Sequence, residues 1–336
     1  MNGNYLLKYS AALLGAAVFS ACSGGPAGAP ATSPLSSTYV GKILEVNGRL
    51  VTAARAPSAL PTFATLLPDA VQKAKHFEYI DNDYGTYASI FDYPKGADQI
   101  GKINDVGGQA CTNVLYGYGK KLFWIVAGDT EINEYKVPKT LIKTLSDSEG
   151  MPSSCAIDTS GDLAVGILNG SGSGEIIIYK GASGAGTPFS TPLTAEFFDG
   201  YDKQGNLFAT GLDDRERAGL VELPKGGSTF ETIATPNTLG FPGSVQWDGK
   251  YVTVFDQSAN ALYQYTISGT TATLKHTVAL TGSVDCAQTW IVKGLIYCAD
   301  AGTNDGEVFK YPAGGSPVAV FTGSFDLPLG TTAVEK

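Results

Sequence analysis

The side chains best suited to chemistry in this chain are oxygen donors that recur where apolar runs end: Asp81, Asp83, Asp129, Asn169, Asp213, Asp256 and Asp300. Glu196 and Asp285 stand at the starts of other runs, and Asn113 lies within one. Gathered on one side of a molecule, such oxygens are what a hard cation such as calcium takes as ligands. The same residues have a plainer use, because an Asp at a strand end bonds the backbone N–H groups of the turn beside it. Both uses stay open on sequence alone, since nothing in it sets the distances between the carboxylates.

Other catalytic sets are hard to assemble, and no catalytic residue is assigned. The two histidines, His76 and His276, fall in runs expected to lie away from a central channel, and no G-x-S-x-G or H-E-x-x-H spacing occurs. The glycine-rich stretch 170–174 follows a strand but opens no helix, so it lacks the N-terminus that a phosphate cradle needs. Four cysteines read as staples. Cys111 and Cys155 hold equivalent places 44 residues apart, and Cys286 and Cys298 lie across one hairpin. An oxidising compartment could close both pairs. Free thiols are the alternative for Cys111 and Cys155, because a bond requires Cα atoms within about 7 Å.

Residues 1–21 imply that compartment. A short start with Lys8 precedes an apolar run from Ala11 to Ala21, too short to cross a bilayer and of the length of a secretory signal. Cys22, after Phe19-Ser20-Ala21, resembles a bacterial lipobox, with Phe where Leu is usual; lipid attachment at Cys22 is expected, and ordinary signal cleavage is the alternative. The Gly, Pro and Ser-rich stretch that follows reads as a tether within residues 22–65, and residues 66–336 read as the folded domain. The formal charge of −9 argues against nucleic acid, whose phosphates call for clustered Lys and Arg.

The elements that must position these residues are short strands. Gly is abundant at 42 residues, charged residues make up only 16%, and long helical windows are nearly absent after the N-terminus, which points to an all-β chain. Anchored on Phe77, Leu122, Leu163, Leu207, Tyr251 and Leu295, one apolar run recurs at intervals of 45, 41, 44, 44 and 44 residues. A second signature, Pro after an apolar run, recurs at Pro94, Pro138, Pro224 and Pro312. Units of this length hold four strands each, A to D, and stack as propeller blades. Pro then ends strand C, where its missing N–H stops ladder pairing. Asp248-Gly249 reads as a two-residue A-to-B hairpin turn with positive φ at both positions. Six A strands can be found but none precedes the first B strand, so the C-terminal run 329–335 should complete the N-terminal blade and close a six-bladed ring of four-stranded antiparallel blades. Trp124, Trp247 and Trp290 are expected in the core between blades.

Residues 205–208 (Gly-Asn-Leu-Phe), 223–227 (Leu-Pro-Lys-Gly-Gly), 246–250 (Gln-Trp-Asp-Gly-Lys) and 311–315 (Tyr-Pro-Ala-Gly-Gly) resemble bacterial exported NHL-repeat six-bladed propellers over about residues 66–336. The resemblance implies fold, since propellers host unrelated functions. The expected role is a non-catalytic binding or scaffold propeller of the cell envelope, monomeric, held to the membrane by its lipid and engaging a protein or envelope ligand, with no cofactor, calcium being the alternative. The alternative is a calcium-dependent lactonase of the gluconolactonase type, whose Glu, two Asn and Asp ligands cannot be matched here residue by residue, although Glu196, Asn113 and Asp285 are of suitable types.

Overall fold

The computed structural model describes residues 73–82, 87–93, 98–104, 106, 109–112, 121–125, 131–146, 151–168, 174–321, 325 and 327–335. Cys22, Asp83, Pro94, Asn113, Asp129 and Asn169 lie outside them, as do the signal and tether segments. Among the described residues no helix is long and apolar enough to cross a membrane.

Among the described residues, twenty-four short strands form six four-stranded antiparallel sheets. The first sheet contains β1 (His76–Asn82), β2 (Tyr87–Phe91) and β3 (Gln99–Asn104). The second is β4 (Ala110–Thr112), β5 (Lys121–Ile125), β6 (Glu131–Lys136) and β7 (Thr140–Ser146). The third is β8 (Met151–Ile157), β9 (Leu163–Leu168), β10 (Glu175–Tyr179) and β11 (Thr187–Ser190). The fourth is β12 (Ala195–Tyr201), β13 (Leu207–Leu212), β14 (Ala218–Leu223) and β15 (Glu231–Ile233). The fifth is β16 (Pro242–Trp247), β17 (Val252–Asp256), β18 (Ala261–Ser268) and β19 (Thr271–Ala279). The sixth is β20 (Cys286–Val292), β21 (Leu295–Asp300), β22 (Asp305–Lys310) and β23 (Gly314–Phe321).

The last strand, β24 (Thr331–Glu335), returns to the first sheet and pairs with β1, from His76 opposite Glu335 to Ile80 opposite Thr331. The first blade is therefore β24-β1-β2-β3, composite as the strand count requires. The A strands β24, β4, β8, β12, β16 and β20 each contact the next, which makes them the inner wall of a closed ring. Closure leaves no inner edge open to pairing with another chain.

The apolar character of the middle strands has a direct cause. Each blade is covered on both faces by its neighbours, so both alternating sets of side chains are buried. Every residue of β13 and β17 is buried. Six apolar clusters fill the six spaces between blades: Phe77, Tyr79 and Trp124 between the first and second, Phe123 and Leu163 between the second and third, Ile176 and Leu207 between the third and fourth. Phe208 and Val254, Phe255 and Ile296, and Phe91 with Tyr297 continue the series round to the first blade. Each such side chain contributes about 1.5–3 kcal/mol by leaving water. Trp124 is fully buried, whereas Trp247 and Trp290 are half-buried at the edges of their clusters, Trp247 under the Lys203 ammonium.

The turns depart from expectation at one point. Beyond the Trp247–Val252 pair the Asp248 N–H donates to the Tyr251 carbonyl at 3.1 Å, so the reversal falls at Gly249-Lys250, one residue later than expected, and only Gly249 takes positive φ. Asp248 closes it by accepting the N–H groups of Lys250 and Tyr251 through its carboxylate, at 2.7 and 2.6 Å. The carboxylate thus takes the Tyr251 N–H that the Asp248 carbonyl would accept in a regular two-residue hairpin. Asp158 and Asp202 do the same at the corresponding turns, each accepting from the second and fourth residues onward. Pro138, Pro224 and Pro312 follow β6, β14 and β22, the C strands, where pairing stops.

Candidate functional site

The loops joining D to A strands and B to C strands share one face of the ring, and the carboxylates at the B-strand ends lie there. Three of them have one job. Asp256, buried at the end of β17, accepts from Gly240 and Phe241 ahead of β16 (2.8 and 3.2 Å), and from Ser258 and Ala259 after β17 (3.0 and 3.3 Å). Asp300 at the end of β21 accepts from Val284 and Asp285 (2.7 and 3.0 Å), from Gly302 and Thr303 (2.8 and 3.1 Å) and from the Ser283 hydroxyl (3.0 Å). Asp81 on β1 accepts from Leu329 and Gly330 ahead of β24, at 2.6 and 2.7 Å. In each case a buried carboxylate ties the loop entering strand A to the end of strand B, using charge-assisted bonds of the stronger kind.

The remaining predicted donors are dispersed. Asp213 follows β13 and is held by Arg217, through Nε at 2.8 Å and an ion pair at 2.6 Å, together with the N–H groups of Arg215 and Arg217; hydrogen bonding to Arg217 holds its carboxyl below the usual range. The Asp285 N–H is one of the donors to Asp300, and the Asp285 carbonyl accepts from Ala301. One mixed group, Cys298, Asp300 and Glu307, brings three ligand atoms within 4.8 Å of one another. Cys298 is joined to Cys286, however, and Asp300 already accepts five hydrogen bonds, so the one unmet oxygen of the group is Glu307 Oε2. The second disulfide joins Cys111 to Cys155 on the inner strands of adjacent blades, with Cα atoms 5.7 Å apart. His276 lies in β19, an outermost strand, and His76 begins β1.

Blades three and four break the pattern. At the place of Asp256 and Asp300 they carry Leu168 and Leu212, and between them sit two buried acids of β12, Glu196 and Asp199. A bulge between Glu196 and Phe198 interrupts the pairing of β12 with β13 and brings both carboxylates toward the third blade. The Thr191 hydroxyl donates to Glu196 Oε1, and the Ser154 hydroxyl donates to Asp199 Oδ2 at 2.7 Å. Glu196 Oε2 and Asp199 Oδ1 are buried without a hydrogen-bond partner, and so is the Ser153 hydroxyl beside them. Burial pushes the Glu196 carboxyl well up and the charge of Asp199 pushes it further; burial raises Asp199 as well, against the bonds from Ser154 and Gly166.

Two glycines make room for this cluster. A Cβ on Gly174 would come within 2.7 Å of the Leu193 carbonyl, 2.9 Å of Thr191 Oγ1 and 3.0 Å of Glu196 Oε1. A Cβ on Gly166 would run into the Ser154 hydroxyl and lie 3.2 and 3.3 Å from Ser153 Oγ and Asp199 Oδ2. Of the pair, sequence reasoning singled out Glu196 and missed Asp199. The signal was register: Asp199 stands opposite Ala209, where the neighbouring inner strands carry Cys155 opposite Val165 and Gln246 opposite Thr253.

No protein-family model matches the chain, and no curated protein matches it in sequence. Solved structures match in fold. A chain in the crystal structure of a nidogen/laminin complex superposes with a TM-score of 0.62 at 14% identity, covering 77% of this chain and 98% of that one. A protein of unknown function from Bacteroides caccae superposes with a TM-score of 0.60 at 10% identity, covering 78% and 100%. At these identities the likeness is one of fold.

Proposed function

We propose that this chain is an exported, NHL-repeat-like binding propeller of the cell envelope, monomeric and lipid-anchored at Cys22, whose D-to-A and B-to-C loop face engages a protein or envelope ligand without catalysis. The observation that carries the reading is the anchoring of that face by Asp81, Asp256 and Asp300. Loops fixed before a partner arrives lose little entropy on binding, which is how a rigid platform gains affinity. Val284, 49% exposed between the anchored amides of blade six, gives the face an apolar contact point. The structural neighbour from a nidogen/laminin complex supports a protein partner by analogy of fold.

The test is retention of envelope components on the immobilised full chain. Val284→Glu should abolish retention, and Lys250→Glu, at a turn on the opposite face, should leave it intact. Equal retention by both variants contradicts the assignment. Cys22→Ser should move the protein out of the membrane fraction. The second reading, a calcium-dependent lactonase-like hydrolase, is favoured by the open oxygen of Glu196 near the loop face; chelator-sensitive lactone turnover would establish it.

A further inference from the structure

Two carboxylates from one strand, wedged against the next blade with hydroxyls as their bonding partners, form an electrostatic arrangement that is relieved by a proton or by a bound cation. Glu134, equally buried in the second blade, shows the usual solution: Lys121 and Lys143 reach it at 2.8 and 3.1 Å. Glu196 and Asp199 are bonded to Thr191 and Ser154 instead. They are 0% and 7% exposed, and each keeps one oxygen buried and unbonded. Leaving such acceptors unmet costs about 1–3 kcal/mol apiece, more if charged.

We propose that Glu196 and Asp199 bind one calcium ion between blades three and four. The unmet oxygens at this interface are Glu196 Oε2, Asp199 Oδ1 and the Ser153 hydroxyl; Thr191 Oγ1 and the Leu193 carbonyl beside Gly174 are already hydrogen-bonded, the carbonyl by the Gly174 N–H at 2.6 Å. Two carboxylates and a hydroxyl in an irregular array, without nitrogen or sulfur, suit calcium, which accepts variable coordination and completes its shell with water, better than magnesium, which demands a near-ideal octahedron. The bulge in β12 is the local device that makes the site, because it turns Glu196 and Asp199 to the same blade interface from a single strand. The site differs from a channel-centre arrangement that draws one ligand from each of several blades, and it stands whether the loop face binds a partner or not.

The experiment uses the full chain, stripped with chelator and titrated with calcium alone. Calorimetry should show one equivalent bound, and the melting temperature should rise on the order of 5 °C at a hundredfold excess over Kd, with magnesium much weaker. Glu196→Gln and Asp199→Asn should each weaken calcium binding at least tenfold. Ser153→Ala, which removes a single neutral ligand, should weaken it by a smaller factor and guards against a carboxylate variant that does not fold. Absence of calcium uptake by the stripped wild type, with an unchanged melting temperature, overturns the proposal. So does uptake that persists undiminished in the double variant Glu196→Gln, Asp199→Asn.

Discussion

The Asp81 carboxylate accepts the Gly330 N–H at 2.7 Å, and the Asp81 N–H donates to the Gly330 carbonyl at 2.9 Å, a reciprocal pair spanning 249 positions of sequence. It joins the two ends of the domain in one blade. Asp81→Ala would strand the Leu329 and Gly330 amides in a buried setting, a loss of about 2–4 kcal/mol. Urea melts should show the lowered midpoint, with Asp81→Asn, which keeps an acceptor oxygen, costing less.

Gln288 on β20 extends the closure across three blades. Its Oε1 accepts from Thr331 at 2.9 Å and Ala110 at 3.4 Å, and its Nε2 donates to the Ala110 carbonyl at 2.9 Å. Gln288→Leu keeps the volume but orphans these groups, so a loss of about 2–3 kcal/mol is expected. The same change at Gln246, which bonds only the Ile291 backbone, should cost less.

The disulfides close loops of 44 and 12 residues. Chain entropy sets their contributions at about 4 and about 3 kcal/mol. Thiol titration of the denatured, unreduced mature protein should find no reactive cysteine, the Cys22 sulfur being blocked by its lipid, and four after reduction. Cys111→Ser should destabilise more than Cys286→Ser.

Two buried glutamates make stability depend on pH. Burial drives the Glu78 carboxyl well up, against the 2.5 Å bond that it accepts from Thr331 on β24, and pushes Glu307 up to about 7 from 4.5. A raised folded-state pKa contributes stability that is fully present below the unfolded value and is lost as pH climbs through the folded one. For Glu307 the loss runs from about pH 4.5 to 7. Glu307→Gln should therefore match the wild type near pH 4 and exceed it in melting temperature at pH 8; a gap that shrinks with rising pH contradicts the assignment.

Architecture was legible in the chain because each blade repeats the same physical problem. Apolar B strands covered on both faces, Pro after strand C and an A strand missing at one end together define a closed six-bladed ring. The site was less legible. Asp256 and Asp300 look like ligands in sequence, and only the ladder shows that their oxygens meet amides from a loop fifteen or sixteen residues earlier. Asp199 was hidden for the opposite reason: it lies inside an apolar strand, and its exceptional character appears only when β12 is set against β8 and β16. The turn at Asp248 departs from the two positive φ angles that a two-residue hairpin calls for because its carboxylate takes the Tyr251 N–H in place of the Asp248 carbonyl.

A binding platform of this kind depends on a loop face held rigid by buried aspartates. Amide hydrogen exchange tests it directly at Gly240, Phe241, Val284, Asp285, Leu329 and Gly330. These N–H groups should be protected nearly as well as those of the β17 and β21 ladders, and of these six Gly240 and Phe241 should lose protection in Asp256→Ala, along with Ser258 and Ala259. Exchange at the rate of exposed loops in the wild type would contradict it.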